Sequence, residues 1–304
     1  MTRTPIHVSI GTIFALLTVS GQSLQTFRSE YSVDSNLVLV PVTVTDRNGA
    51  FINGLKKDVF AVSEDGVGQP IRSFSEDEAP VSVGIVLDTS GSMMALLPLA
   101  RESLRGFAAL SNPDDEAFLT TVSTQPRIRS GFTADIDWLI DRVAFEGAVG
   151  STALIDTVWV ALDQFSPATN ARKALLVLSD GIDNHSRHTR SQLLGRAAEM
   201  DVQIYTISLD DPTPNRKAVE EVEAQHGMQL MQDLASRTGG VQFLVRSRND
   251  AEQASWGISE TLRNEYNIGY VPAEKQRSGR WRRIRVKVAR AGLKVYSRRG
   301  YRLD

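Results

Sequence analysis

Asp88, Ser90 and Ser92 stand two residues apart within residues 81–92, VSVGIVLDTSGS. Along an extended or tightly turned loop, that spacing lets three side chains converge on one point. One carboxylate and two neutral hydroxyls form a hard oxygen donor set. It suits a divalent cation, Mg²⁺ in particular, which binds through few carboxylates and keeps several waters. Upstream, the apolar, β-branched run 83–87 reads as a strand covered on both faces, as in a parallel sheet between helices. Downstream, Leu97, Ala100, Leu104, Phe107 and Ala108 recur at helical spacing, and Pro98 is tolerable only in a first turn. The donor loop therefore lies between the carboxyl end of a strand and the amino end of a helix. The two serines also have a plainer use there, as helix caps.

Asp88-x-Ser90-x-Ser92 resembles the opening motif of the metal-ion-dependent adhesion site of von Willebrand factor type A domains. Two further pieces of that pattern follow in order, Thr152 in GSTAL (150–154) and Asp180 in LSDG (178–181). The phrases LVLVPVTVTDRNG, SVGIVLDTSGSM and WRRIRVKV are similar, over nearly the whole chain, to bacterial von Willebrand factor A-related proteins that carry a signal peptide. The resemblance implies that Ser90, Ser92 and Thr152 contact Mg²⁺, or Mn²⁺ or Ca²⁺, with Asp88 and Asp180 acting directly or through water. An open coordination position is then left for an Asp or Glu of a partner protein. Taken singly, Thr152 also reads as a cap and Asp180-Gly181 as a turn. For Asp183 a plain turn role is expected ahead of one orienting water or the loop behind the ligands, and His185 and His188 read as loop histidines ahead of a general base or metal ligands.

Strand and helix patterns alternate through the middle of the chain. Strands are expected at 117–122, 127–132, 174–178, 202–209 and 242–245, one of the first two as a parallel strand and the other as an antiparallel edge. Helices are expected at 135–143, 152–165, 189–200, 217–237 and 251–265. This is the pattern of an α/β, doubly wound, Rossmann-like and mostly parallel sheet, assigned to 81–265. Ligands in such folds sit outside the carboxyl ends of the strands where strand order reverses. With the type A strand order, 83–87 and 174–178 are neighbours there, which brings Asp180 beside Asp88.

The two ends read differently. In 36–45, Leu37 and Leu39 keep one alternation and Val42 and Val44 another, with Pro41 at the slip, so this strand is expected at an edge or bulge, entering a hairpin through 46–49. Further strands are expected at 60–64 and 70–75. From Tyr266 onward alternation returns, with Ile284, Val286 and Val288 on one face and Arg283, Arg285 and Lys287 on the other. Neither end has the apolar mass for a core of its own. Residues 30–80 and 266–304 are therefore expected to form one discontinuous β-sandwich-like module, with Leu39, Val42, Val44 and Phe60 in its core.

The chain has 304 residues, 41% hydrophobic and 23% charged, enough for one large and one small domain. Cysteine is absent, which excludes disulfides, thiol catalysis and Cys-based zinc sites. Residues 1–23 have the shape of a secretory signal peptide, with Arg3 before an apolar run at 10–19 that is too short to span a bilayer. Secretion or a periplasmic location is expected, with no transmembrane segment after the signal peptide. The last 39 residues hold twelve Lys and Arg against two acids, yet strict alternation makes the charge a solvated sheet face. No groove-entering helix or stacking motif accompanies it, so no nucleic-acid partner is expected. A metal-dependent hydrolase using a Mg²⁺-bound water is the competing function. Against it stand the lack of a second Asp two residues after Asp88, of G-x-S-x-G, of a P-loop and of H-E-x-x-H, so the chain is read as no enzyme.

Overall fold

The computed structural model describes residues 37–47, 49–76, 78–143, 147–210, 218–273 and 279–302. Residues 1–23, where a signal peptide is expected, lie outside the described residues. Among the described residues, no helix is long and apolar enough to cross a membrane. In chain order the strands and helices are β1 (Val38–Thr45), β2 (Phe60–Glu64), β3 (Val67–Gln69), β4 (Ile71–Ser75), β5 (Val81–Asp88), α1 (Leu97–Ala109), β6 (Glu116–Val122), β7 (Arg127–Thr133), α2 (Ile136–Val143), α3 (Leu154–Asp163), β8 (Arg172–Ser179), α4 (Arg190–Glu199), β9 (Gln203–Leu209), α5 (Ala218–Thr238), β10 (Gln242–Val245), α6 (Arg248–Arg263), β11 (Tyr266–Tyr270), β12 (Trp281–Val288), β13 (Lys294–Ser297) and β14 (Gly300–Arg302).

The middle of the chain is an α/β, doubly wound layer. Its sheet runs β10-β9-β8-β5-β6-β7, parallel throughout except for β7, which pairs antiparallel with β6. Every residue of β5 is buried because helices cover both faces. On one side α1, α2 and α6 contribute Leu104, Phe107, Leu139 and Ile258. On the other, α3, α4 and α5 contribute Leu154, Val158, Leu193 and Leu234. β5 lies between β6 and β8, so the chain winds away from it in both directions and leaves a crevice at its carboxyl end.

The two ends of the chain pair with each other. One four-stranded sheet runs β13-β1-β11-β4 and another β14-β12-β2-β3, with every adjacent pair antiparallel. Val40, Val42, Val44, Phe60, Tyr266, Ile268, Ile284 and Val286 share one core.

Three expectations for this region are corrected. Leu39 is 53% exposed, whereas Val38, Val40, Val42 and Val44 are all buried. The strand thus keeps a single phase through Pro41 and turns its valines inward, leaving Leu37 and Leu39 outside. β1 is also no edge strand, for it lies between β11 and β13. Pro41 is tolerated because the β13 ladder begins at Val42. The Leu39 carbonyl, which points the same way as the Pro41 nitrogen by the strand's period of two, is met by the Arg298 guanidinium at 2.6 Å instead. Finally, the turn after β1 leads to a lone bridge, Thr45 to Phe51, and not to a full hairpin.

Candidate metal centre

Three segments meet at the carboxyl ends of β5 and β8. The first leaves β5 at Asp88, the second precedes α3 and carries Thr152, and the third leaves β8 and carries Asp180. Backbone bonds fasten the first two: Gly91 N–H donates to the Gly150 carbonyl at 3.0 Å and Val149 N–H to the Thr89 carbonyl at 2.9 Å. Thr89 is itself held to the end of β6, its hydroxyl donating to the Val122 carbonyl at 2.6 Å.

Asp88 is fully buried. One of its oxygens accepts the Ser90 N–H at 2.9 Å and the other the Ser179 hydroxyl at 2.6 Å. The Ser90 and Ser92 hydroxyls lie 3.2 Å apart. Burial and then the neighbouring Asp180 carboxylate push Asp88 up to about 6, against the hydrogen bonds from Ser179 and Ser90 that favour its charged form. Asp180 is half-buried and accepts the Ile182 N–H at 3.0 Å, an Asx-type turn that holds its carboxylate at the crevice. Thr152 is buried. Its N–H donates to Asn184 Oδ1 at 2.9 Å, and its carbonyl accepts from the N–H groups of Asn184 and His185, each at 3.0 Å.

The donors fit a hard divalent cation. Among the described residues no group of three or more His, Asp and Glu side chains could hold a metal, so the oxygens on offer here are those of two carboxylates and of hydroxyls. A second carboxylate close enough to raise the buried Asp88 carboxyl is a charge arrangement that a cation relieves.

Two contributors escape the sequence reading. Ser179 links Asp88 to the Asp180 loop, donating to Asp88 and accepting the Gly181 N–H at 2.9 Å. Its only signal was its place before Asp180. Gly227, inside α5, packs backbone to backbone under the same loop. A Cβ there would lie 2.7 Å from the Asp180 carbonyl oxygen, and one on Gly181, whose φ is +80°, would lie 2.4 Å from the Gly227 carbonyl. An isolated glycine in a long helical pattern is the signal that could have found it. Asp183 is no plain turn residue, since its carboxylate accepts the Ile155 N–H at 3.1 Å and the Ser186 hydroxyl at 2.6 Å. His188 lies in the loop as read, but its ring contacts Asp156 at 2.7 Å and stacks on Trp159 at 4.1 Å.

A six-stranded, nearly all-parallel sheet with this crevice is the von Willebrand factor type A fold. No family model and no curated protein matches the chain. Among solved structures, a von Willebrand factor type A protein from Catenulispora acidiphila is similar at a TM-score of 0.51 and 14% identity, covering 89% of this chain and 76% of that one. Proximal thread matrix protein 1 from the mussel byssus, described with a zinc-occupied MIDAS motif, is similar at a TM-score of 0.51 and 15% identity, covering 67% of this chain and 50% of that one. At such identities the likeness is one of fold.

Proposed function

We propose that the chain is a metal-dependent protein-binding module. Ser90, Ser92 and Thr152 contact a divalent cation, Mg²⁺ or a relative such as Mn²⁺ or Ca²⁺, while Asp88 and Asp180 hold it directly or through water. The observation that carries this reading is the pairing of hydroxyl donors with two mutually repelling carboxylates at one crevice. When bound, a cation held largely by neutral oxygens keeps net positive character and supplies an attachment point for an acidic side chain in a partly dry site. An Asp or Glu of the partner protein is the completing ligand. The mussel protein of the same fold, with zinc described in its motif, supports a divalent metal here without fixing which one.

The reading is of a binding module rather than an enzyme. Hydrolysis at this crevice would need a general base placed at it, and the contacts of His188 are with Asp156 and with Trp159 of α3.

Titration with Mn²⁺ by calorimetry tests the assignment. The wild-type chain should bind one equivalent, and Asp88→Ala should bind none while keeping its circular dichroism and cooperative unfolding. A folded Asp88→Ala variant with unchanged affinity would sink the assignment.

A further inference from the structure

The amino end of α3 has no cap from its own segment, since the residue before it, Ala153, offers no capping side chain. Of the orphan N–H groups that a helix start presents, that of Ala153 donates to the Ser123 carbonyl at 2.9 Å, and those of Ile155 and Asp156 are satisfied from the loop after β8. Asn184 Oδ1 accepts from Thr152 N–H at 2.9 Å, Asp183 Oδ1 from Ile155 N–H at 3.1 Å, and Ser186 Oγ from Asp156 N–H at 3.0 Å. Three acceptors from one four-residue stretch thus fall on two donors of the first helical turn and on one just before it.

The bonding also runs the other way. The Thr152 carbonyl accepts the N–H groups of Asn184 and His185. The Asp156 carboxylate accepts those of Arg187 at 2.9 Å and His188 at 3.0 Å, and it contacts the His188 ring at 2.7 Å. These donors hold the Asp156 carboxyl below its usual range despite partial burial. The outer end is closed by the His188 ring lying flat on Trp159 of α3, at an interplanar angle of 10°. Two loops held only at their strand ends would move independently. Here the loop of Asp180 and the start of the helix behind Thr152 are laced at both ends of 183–188.

We infer that Asp183, Asn184 and Asp156 are positioning residues of the metal centre, a clasp that makes the Asp180 loop and the Thr152 segment move as one body. The inference rests on the metal-binding reading above. It adds that affinity depends on three residues that supply no oxygen to the cation. Partners that orient metal ligands from behind typically matter by about 10- to 100-fold in affinity when removed.

The test uses the full chain with Mn²⁺ alone as the probe. Asn184→Ala and Asp183→Ala should each weaken Mn²⁺ binding about tenfold or more, measured well below the unfolding temperature. Asn184→Asp and Asp183→Asn keep the accepting oxygen and should restore most of the affinity. A merely structural role would lower the melting temperature and leave affinity in the folded protein unchanged, and that result overturns the inference. Ser186→Ala, which removes the acceptor of the Asp156 N–H and the donor to Asp183, serves if the other alanine variants do not fold, with the same overturning outcome. Hydrogen exchange in the metal-free protein gives the second reading. Amides of Gly181 and Ile182, which bond to neither Asp183 nor Asn184, should exchange faster in the Asn184→Ala chain. If the wild-type chain binds no Mn²⁺, the functional reading fails, and the clasp is then judged by exchange alone. Unchanged exchange at Gly181 and Ile182 overturns it.

Discussion

At the scale of the residue, the contact of Gly181 with Gly227 sets how close α5 can lie beneath Asp180. Neither position has room for one more carbon, because the neighbour is backbone and cannot rotate away. Gly227→Ala should therefore push α5 and the loop apart, costing about 1–3 kcal/mol as overpacking does, and should weaken Mn²⁺ binding by displacing Asp180. Gly181→Ala adds a left-handed backbone to the same overlap, a further cost of about 1–2 kcal/mol. Urea unfolding paired with Mn²⁺ titration checks both, and a Gly227→Ala chain that matches wild type in the two measurements would show that the approach is not tight. The candidate donors Asp88 and Asp180 could be picked out in the sequence because they stand where strand patterns stop, and Thr152 because it stands where a helix pattern starts. Ser179 and Gly227 could not, since their roles are contacts across distant segments. A serine at a strand end and a glycine in a helix have many ordinary uses.

At the scale of the element, the alternation of 281–288 was legible and its consequence for one residue was not. Arg283, Arg285 and Lys287 are exposed as read, and the same period turns Arg282 inward. It lies buried, its guanidinium 2.8 and 2.6 Å from Glu64 Oε1, while Glu64 Oε2 accepts the hydroxyls of Tyr270 at 2.6 Å and Tyr301 at 2.9 Å. Glu64 is 218 positions away in sequence, so nothing local announced the pair. Burial and then the hydrogen-bonded Glu64 carboxylate hold the Tyr301 hydroxyl up to about 12. Removing one partner of a buried pair strands the other, at about 3–5 kcal/mol. Arg282→Met should destabilise the protein by that order. The triple replacement of Arg283, Arg285 and Lys287 by Gln should stay within about 0.5 kcal/mol per site. Chemical denaturation of the two variants side by side decides it, and equal losses would show that the pair is a surface feature. The misread phase of β1 has a similar origin. In a run where nearly every residue is apolar, periodicity cannot say which face is inner, and the inner face was set by the opposing sheet.

At the scale of the molecule, the sheets of the two chain ends are interleaved so that neither end keeps a sheet alone. β11 lies between β1 and β4, and β12 lies between β14 and β2. Cutting away 266–304 would leave β1 and β4 with no strand between them and only the β2–β3 pair intact, and an isolated two-stranded piece is marginal in water. The α/β layer stands differently toward that cut. What it loses lies at helix ends: the Glu199–Arg302 and Asp201–Arg298 ion pairs, at 3.0 and 3.3 Å, and the bridge between Thr238 and Arg298. Exposed pairs of this kind contribute about 0–1 kcal/mol each, while the cores on both faces of the central sheet are untouched. We therefore propose that 30–80 and 266–304 act as one discontinuous module and 81–265 as another. Residues 81–265 expressed alone should fold cooperatively and bind Mn²⁺ as the full chain does. A chain ending at 265 but retaining 36–80 should expose Val40, Val42, Val44 and Phe60 and aggregate. Limited proteolysis with light scattering reads both outcomes. A truncated chain that stays monomeric and as protected over 36–75 as the full chain would show that the amino-terminal strands need no partner from the other end.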